Sequence, residues 1–117
     1  GRFKQVRVNE VRHLVEQGAV IIDVREENEF AVGHVKGAKN IPLSQFRERM
    51  HEIPKDVPVY VHCRSAQRSY NAVMALENSG YENVYNVSGS FLGICLYEYY
   101  KDQTENREPI VTQYNFK

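Results

Sequence analysis

Short apolar runs alternate with helical periodicity along this chain, and that order leaves few folds open. Val20-Ile21-Ile22-Asp23-Val24 is a continuous apolar run, the pattern of a strand covered on both faces. Ala38 to Ile41, ended by Pro42, then Val59-Tyr60-Val61 and Val84 to Val87 are further strand candidates. Helical spacing lies between them. After Asn9, a candidate N-cap, Val11, Leu14 and Val15 recur at i, i+3, i+4 until Gly18. Ser44 is placed to cap a short helix carrying Phe46 and Met50, and Arg25 to Glu29 is a charged stretch. From Ser69, the residues Tyr70, Val73, Met74 and Leu76 mark a longer helix closed by Gly80, and a last helix runs from about Phe91 to Tyr100. Strands separated by helices predict an α/β fold, a small parallel sheet of about five strands with helices on both faces. In such sheets ligands bind beyond the carboxyl ends of the strands.

The totals narrow the function. A length of 117 residues fits one domain, and 42% hydrophobic residues can build its core. Fifteen basic residues offset fifteen acidic ones, so the excess of cations that binds nucleic acid is missing. No apolar stretch is long enough to span a bilayer, and none reads as a signal peptide. The chain opens on Gly1, as expected of a piece of something longer. Residues 1–101 read as the folded domain. Within 102–117, Asp102 to Glu108 reads as a polar linker, and Pro109 to Phe116 as an added strand or docking tail.

The chain has two cysteines, Cys63 and Cys95, too few for a disulfide framework. There is no C-x-x-C, and His13, His34, His51 and His62 show no ligand spacing, so no metal is expected. There is no Gly-rich phosphate loop either, and no cofactor is expected. A reducing, cytoplasmic setting is the simpler expectation.

The chemistry concentrates in His62-Cys63-Arg64-Ser65-Ala66-Gln67-Arg68-Ser69, which leaves a strand and enters a helix. Successive N–H groups in such a loop form an anion-binding nest, and the helix start adds the positive end of its dipole. Arg64 and Arg68 add permanent positive charge. A thiol in this cradle loses its proton more easily, and the thiolate is the nucleophile. The same cradle suits an anionic sulfur donor.

This loop resembles the active-site loop of the rhodanese family, C-R-x-G-x-R-S. Asp23-Val24-Arg25-Glu26 and the segment Gly33-His34-Val35-Lys36-Gly37-Ala38-Lys39-Asn40-Ile41-Pro42 resemble that family's two other signatures, in the same order. The resemblance runs from about Val6 to Tyr100 and implies a rhodanese-like fold with a catalytic Cys63 that carries sulfur as a persulfide. It implies that Arg64 and Arg68 bind the anionic donor, with the loop Ser65, Ala66, Gln67, Arg68 and Ser69 lining the site. The implied partners are a small anionic sulfur donor and a thiol or cyanide acceptor. Similar domains occur fused to flavin-dependent disulfide or coenzyme A persulfide reductases, so a redox or sulfur-relay protein domain is a further implied partner. Ala66 departs from the family's glycine, at a cost if the position needs positive φ.

Two other functions compete. A non-catalytic rhodanese-like binding module typically lacks the cysteine, which is kept here. Phosphatases and arsenate reductases use C-x5-R, whereas Arg68 stands at C-x4-R, a tighter ring suited to one sulfur atom. Asp23, Arg25 and His34 read as structural residues near the site. His62 points away from Cys63 on an alternating strand. Cys95, among Phe91, Leu92, Ile94 and Leu96, reads as a core hydrophobe, with a resolving thiol as the alternative.

Overall fold

The computed structural model describes residues 4–117; Gly1, Arg2 and Phe3, the head of the 1–101 unit, lie outside the described residues. Among the described residues five parallel strands form one sheet: β1 (Lys4–Arg7), β2 (Val20–Asp23), β3 (Lys39–Asn40), β4 (Val59–His62) and β5 (Val84–Ser88), in the order β1-β5-β4-β2-β3. The helices are α1 (Val11–Glu16), α2 (Glu27–Val32), α3 (Phe46–Arg49), α4 (Gln67–Asn78) and α5 (Ser90–Glu105). No helix among the described residues is long and apolar enough to cross a membrane.

The strand alternation divides the core in two. On one face Ile22, Val59, Val61 and Cys63 pack with Phe46, Val73 and Leu76 from α3 and α4. On the other, Ile21 and Val87 pack with Val11, Leu14, Phe91, Ile94 and Cys95 from α1 and α5. Ile22 pairs with Val61 and Ile21 with Tyr60, so the register keeps each set on its own side. The α/β architecture with helices on both faces is the one the apolar runs predict.

Three local expectations are corrected. Asn9 is not the N-cap of α1. It lies in a 3-10 turn, Val8–Glu10, pinned by the Arg7 N–H donating to the Glu10 carboxylate at 2.8 Å. The helix begins at Val11 and stops before Gly18, whose φ of +71° favours glycine. The charged stretch after Arg25 contains α2, a helix with no buried side chain and hence no periodicity to read. The Glu26 N–H donates to the Glu29 carboxylate at 2.9 Å, closing a capping box.

The third correction concerns the C-terminal segment. Asp102 to Glu108 is not the linker its polarity predicts, because α5 continues through Glu105. Asp102 and Arg107 of that stretch turn inward to meet Glu98 and Arg12. Glu98 and Asp102 each take Arg12 at 2.9 Å, and Arg107 joins them at 3.0 and 3.1 Å. Burial raises the Glu98 carboxyl above its ordinary pKa, while Arg12 and Arg107 oppose that rise. A solvated linker and a buried ionic cluster look alike in composition. The chain then turns back as a docked tail with a single antiparallel bridge, Val35 to Val111, and Ile110 and Val111 enter the core.

Candidate active site

The apolar strand β4 delivers Cys63 to the sheet's carboxyl edge, two residues after Val61 and on the same face. Its neighbours β2 and β5 end beside it and supply the surroundings. The result is a thiol buried to 1% exposure and ringed by donors. The Ala66 N–H donates to Cys63 Sγ at 3.2 Å, and the Ser90 hydroxyl lies 3.7 Å from it. Ser90 Oγ also accepts the Cys63 N–H at 2.8 Å, locking the backbone of Cys63 to the first residue of α5.

Burial alone would raise the Cys63 thiol pKa. The Ser69 hydroxyl and N–H, the Ser90 hydroxyl and the Ser65 N–H outweigh it, and the thiol sits below its ordinary value. The Ser69 hydroxyl has one proton to share among the sulfur, the Ala66 carbonyl at 2.9 Å and Asn86 Oδ1 at 2.7 Å. The loop is therefore a nest of N–H groups from Ser65, Ala66 and Ser69 closing on one sulfur atom.

The two loop arginines differ. Arg68 grips Glu29 of α2 with both terminal nitrogens, at 2.7 and 3.1 Å. That guanidinium hydrogen bond holds the Glu29 carboxyl down to about 2. Arg64 makes no ion pair among the described residues and borders a cleft beside the loop. Ser65, Ala66 and Gln67 are exposed, and Gln67 Nε2 reaches Asn71 Oδ1 at 3.4 Å.

Ala66 carries strain. Its φ of +151° with ψ of −38° falls where side chains are disfavoured. Ala66→Gly relieves that backbone strain and adds unfolded-state freedom, and the net expected effect is a gain of about 1 kcal/mol in unfolding free energy. Urea unfolding of the two proteins checks it.

Asp23, Arg25 and His34 are tied into contacts with their own neighbours rather than with Cys63. Asp23 accepts the Arg25 backbone N–H at 3.0 Å and its guanidinium at 2.7 Å, with both side chains buried. Arg25 also donates to the Gly33 carbonyl at 2.8 Å and lies 3.9 Å over the Phe91 ring. Asn40 Nδ2 donates to the carbonyls of Asp23 and Arg25 at 3.0 and 2.8 Å, fixing the end of β2. His34 stacks on Phe30 and pairs its Nδ1 with the Phe30 carbonyl at 2.9 Å. His62 stacks on Phe91 on the opposite face from Cys63, and burial lowers its pKa against the opposing pull of Asp23. Cys95 belongs to the core on that opposite face, with the sheet between the two thiols, and burial raises its pKa. That placement favours the core reading over the resolving thiol.

Ser90, Asn86 and Glu29 are contacts that the loop motif alone does not reveal. Ser90 and Asn86 belong to the carboxyl end of β5 and the turn after it, the edge where such sheets carry their sites. Ser90 had a signal in its place directly after the Gly89 turn. Glu29 had none, because α2 has no periodicity.

Comparison with known proteins agrees with this geometry. Residues 7–96 match the family described as "Rhodanese-like domain". The uncharacterized protein YqhL of Bacillus subtilis is 49% identical over 73 residues, which are 62% of this chain and 58% of that protein. The thiosulfate sulfurtransferase GlpE of Haemophilus influenzae is 32% identical over 93 residues, 80% of this chain and 89% of that enzyme. The crystal structure of reduced Bacillus anthracis CoADR-RHD superposes with a TM-score of 0.71 at 42% identity, covering 76% of this chain and only 16% of that one. With the match spanning most of its length and the sheet order, loop and thiol in place, the chain belongs to the rhodanese-like domain family.

Proposed function

We propose that the chain is a rhodanese-type sulfurtransferase that carries sulfane sulfur on Cys63. The observation that carries this reading is the ring of N–H and hydroxyl donors closed on a buried thiol whose pKa is lowered. Relatives named thiosulfate sulfurtransferase, which align over most of their own length, support it.

The chemistry follows from the cradle. The Cys63 thiolate attacks the outer sulfur of the donor, the donor's S–S bond breaks, and its electron pair leaves with sulfite or a thiolate. Cys63 then holds a persulfide whose terminal sulfur is anionic. The N–H groups of Ser65, Ala66 and Ser69 solvate that charge. A thiolate or cyanide attacks the terminal sulfur and departs with it, and the Cys63 thiolate is restored. No net oxidation occurs across the cycle, and no cofactor is required. Arg68 anchors the anionic donor, exchanging part of its contact with Glu29 for it.

Sulfur transfer from thiosulfate to cyanide, beside glutathione persulfide as donor to a thiol, tests the reading. Turnover with either donor supports it. Hydrolysis of a small aryl phosphate at a comparable rate, with no sulfur transfer, would favour a phosphatase instead.

The pH dependence gives a sharper expectation. An acid is being deprotonated, so kcat/KM rises with pH through the thiol pKa, and that limb lies below the ordinary thiol value. With thiosulfate as donor, which stays ionised across that range, the limb is expected to report Cys63, and Glu29 is held down to about 2. Ser90→Ala removes one hydroxyl donor and is expected to move the limb to higher pH. An unmoved limb would remove Ser90 from the site.

A further inference from the structure

A groove of about 440 Å³ opens between α3 and α4, a size within the range of small-molecule sites. Leu43, Phe46 and Ala75 give it apolar lining, and Phe46 is only 2% exposed. Asn71 stands on the α4 wall, and Arg47 and Glu48 border the groove from α3. The other charges nearby are paired: Arg49 and Lys39 each hold Glu52 at 2.9 Å. Arg47 and Glu48 are exposed and make no ion pair among the described residues. Consecutive helix residues point about 100° apart, so these two do not face each other. The groove thus presents one cation and one anion at the rim of an apolar lining.

It starts at the same sheet edge as Cys63. The Leu43 N–H donates to the Val24 carbonyl at 3.1 Å, and the Val24 N–H to the His62 carbonyl at 3.0 Å. Leu43 therefore stands two strand spacings, about 10 Å, from the segment that carries Cys63. The α4 wall leads to the same place. Gln67, the residue after Ala66, donates its Nε2 to Asn71 Oδ1 at 3.4 Å, which leaves the Asn71 amide protons for a ligand.

We propose that this groove holds the amino-acid end of the thiol that accepts sulfur from Cys63. Resting on the sulfur-transfer reading, this assigns the acceptor class: γ-glutamyl-type thiols, whose zwitterionic α-amino-acid group lies roughly 10 Å from the sulfur. Arg47 takes the carboxylate, Glu48 takes the ammonium, and Leu43, Phe46 and Ala75 cover the methylenes. The acceptor's thiolate attacks the terminal sulfur of the Cys63 persulfide. A new S–S bond forms, the bond to Sγ breaks, and its electron pair stays with Cys63.

The test uses thiosulfate as the common donor. It compares kcat/KM for glutathione, N-acetylglutathione and 2-mercaptoethanol as acceptors in the native chain, Arg47→Gln and Glu48→Gln. Both side chains are exposed, so the substitutions leave the core untouched. At this solvent-facing site Arg47→Gln is expected to cut the preference for glutathione over 2-mercaptoethanol about fivefold at low salt, mainly through KM, and high salt should narrow the loss. Glu48→Gln should act alike on glutathione and leave N-acetylglutathione, whose nitrogen is uncharged, unaffected. An unchanged preference in either variant, an equal fall for all three acceptors, or a loss for N-acetylglutathione in Glu48→Gln would overturn the subsite while leaving sulfur transfer intact. If no acceptor is turned over, S-methylglutathione, which has no free thiol, is titrated against the same proteins by NMR. Amide shifts at Asn71 and Ala75 that weaken in Arg47→Gln support the subsite without the reaction, and their absence overturns it.

Discussion

Cys63→Ser is expected to reduce sulfur transfer to the uncatalysed background while leaving the fold intact. The serine hydroxyl fits where the thiol sits, among the Ala66 N–H, the Ser69 hydroxyl and the Ser90 hydroxyl, so packing changes little. Its oxygen is not ionised near neutral pH, and it forms no persulfide. Binding of the donor by Arg68 and the loop should survive. The loss must then appear in kcat, with the thermal transition nearly unmoved. The control is Cys95→Ser. Cys95 lies in the core across the sheet from Cys63, and burial raises its pKa, so transfer should persist in that variant. Residual transfer in Cys63→Ser at a substantial fraction of the native rate would move the chemistry elsewhere.

Asp23→Asn is expected to produce the largest loss of stability of any single change at the site. Arg25 is 1% exposed and Asp23 is fully buried. The carboxylate accepts both the Arg25 backbone N–H and its guanidinium. A neutral amide leaves a buried guanidinium without its counter-charge, which costs about 3–5 kcal/mol. That is a large part of the 5–15 kcal/mol that typically holds a domain together. The loss is expected as a drop in the urea midpoint with the slope unchanged. Activity should fall with it, since the same network fixes the end of β2 and, through Gly33, the start of the segment that meets the tail. A loss under about 1 kcal/mol would mean that the pair is solvated or replaceable.

The fold was legible where burial is two-sided. Val20 to Val24, Val59 to Val61 and Val84 to Val87 read as strands because parallel strands covered by helices are apolar throughout. β1 was not legible. It is an edge strand of four residues, Lys4–Arg7, in which only Val6 is buried, and so it leaves no apolar run. The same reason hid α2. The last helix was cut short because Asp102 and its neighbours look solvated, although they close an ionic cluster.

In the site, Cys63, its loop and the positions of Asp23 and Arg25 were visible because those residues are contiguous. Ser90, Asn86 and Glu29 meet the loop only through the fold, at |i−j| separations of 27, 17 and 39 from their partners. Such contacts follow from strand order, which local pattern does not encode. The cost of Ala66 could be stated only conditionally until its φ was known.

The most direct test of the central claim is intact-mass spectrometry of the protein after brief exposure to thiosulfate or glutathione persulfide, followed by peptide mapping. The account predicts a gain of one sulfur atom on the peptide containing Cys63, removed by a thiol reductant or by cyanide. No adduct from either donor, or an adduct confined to Cys95, would contradict it.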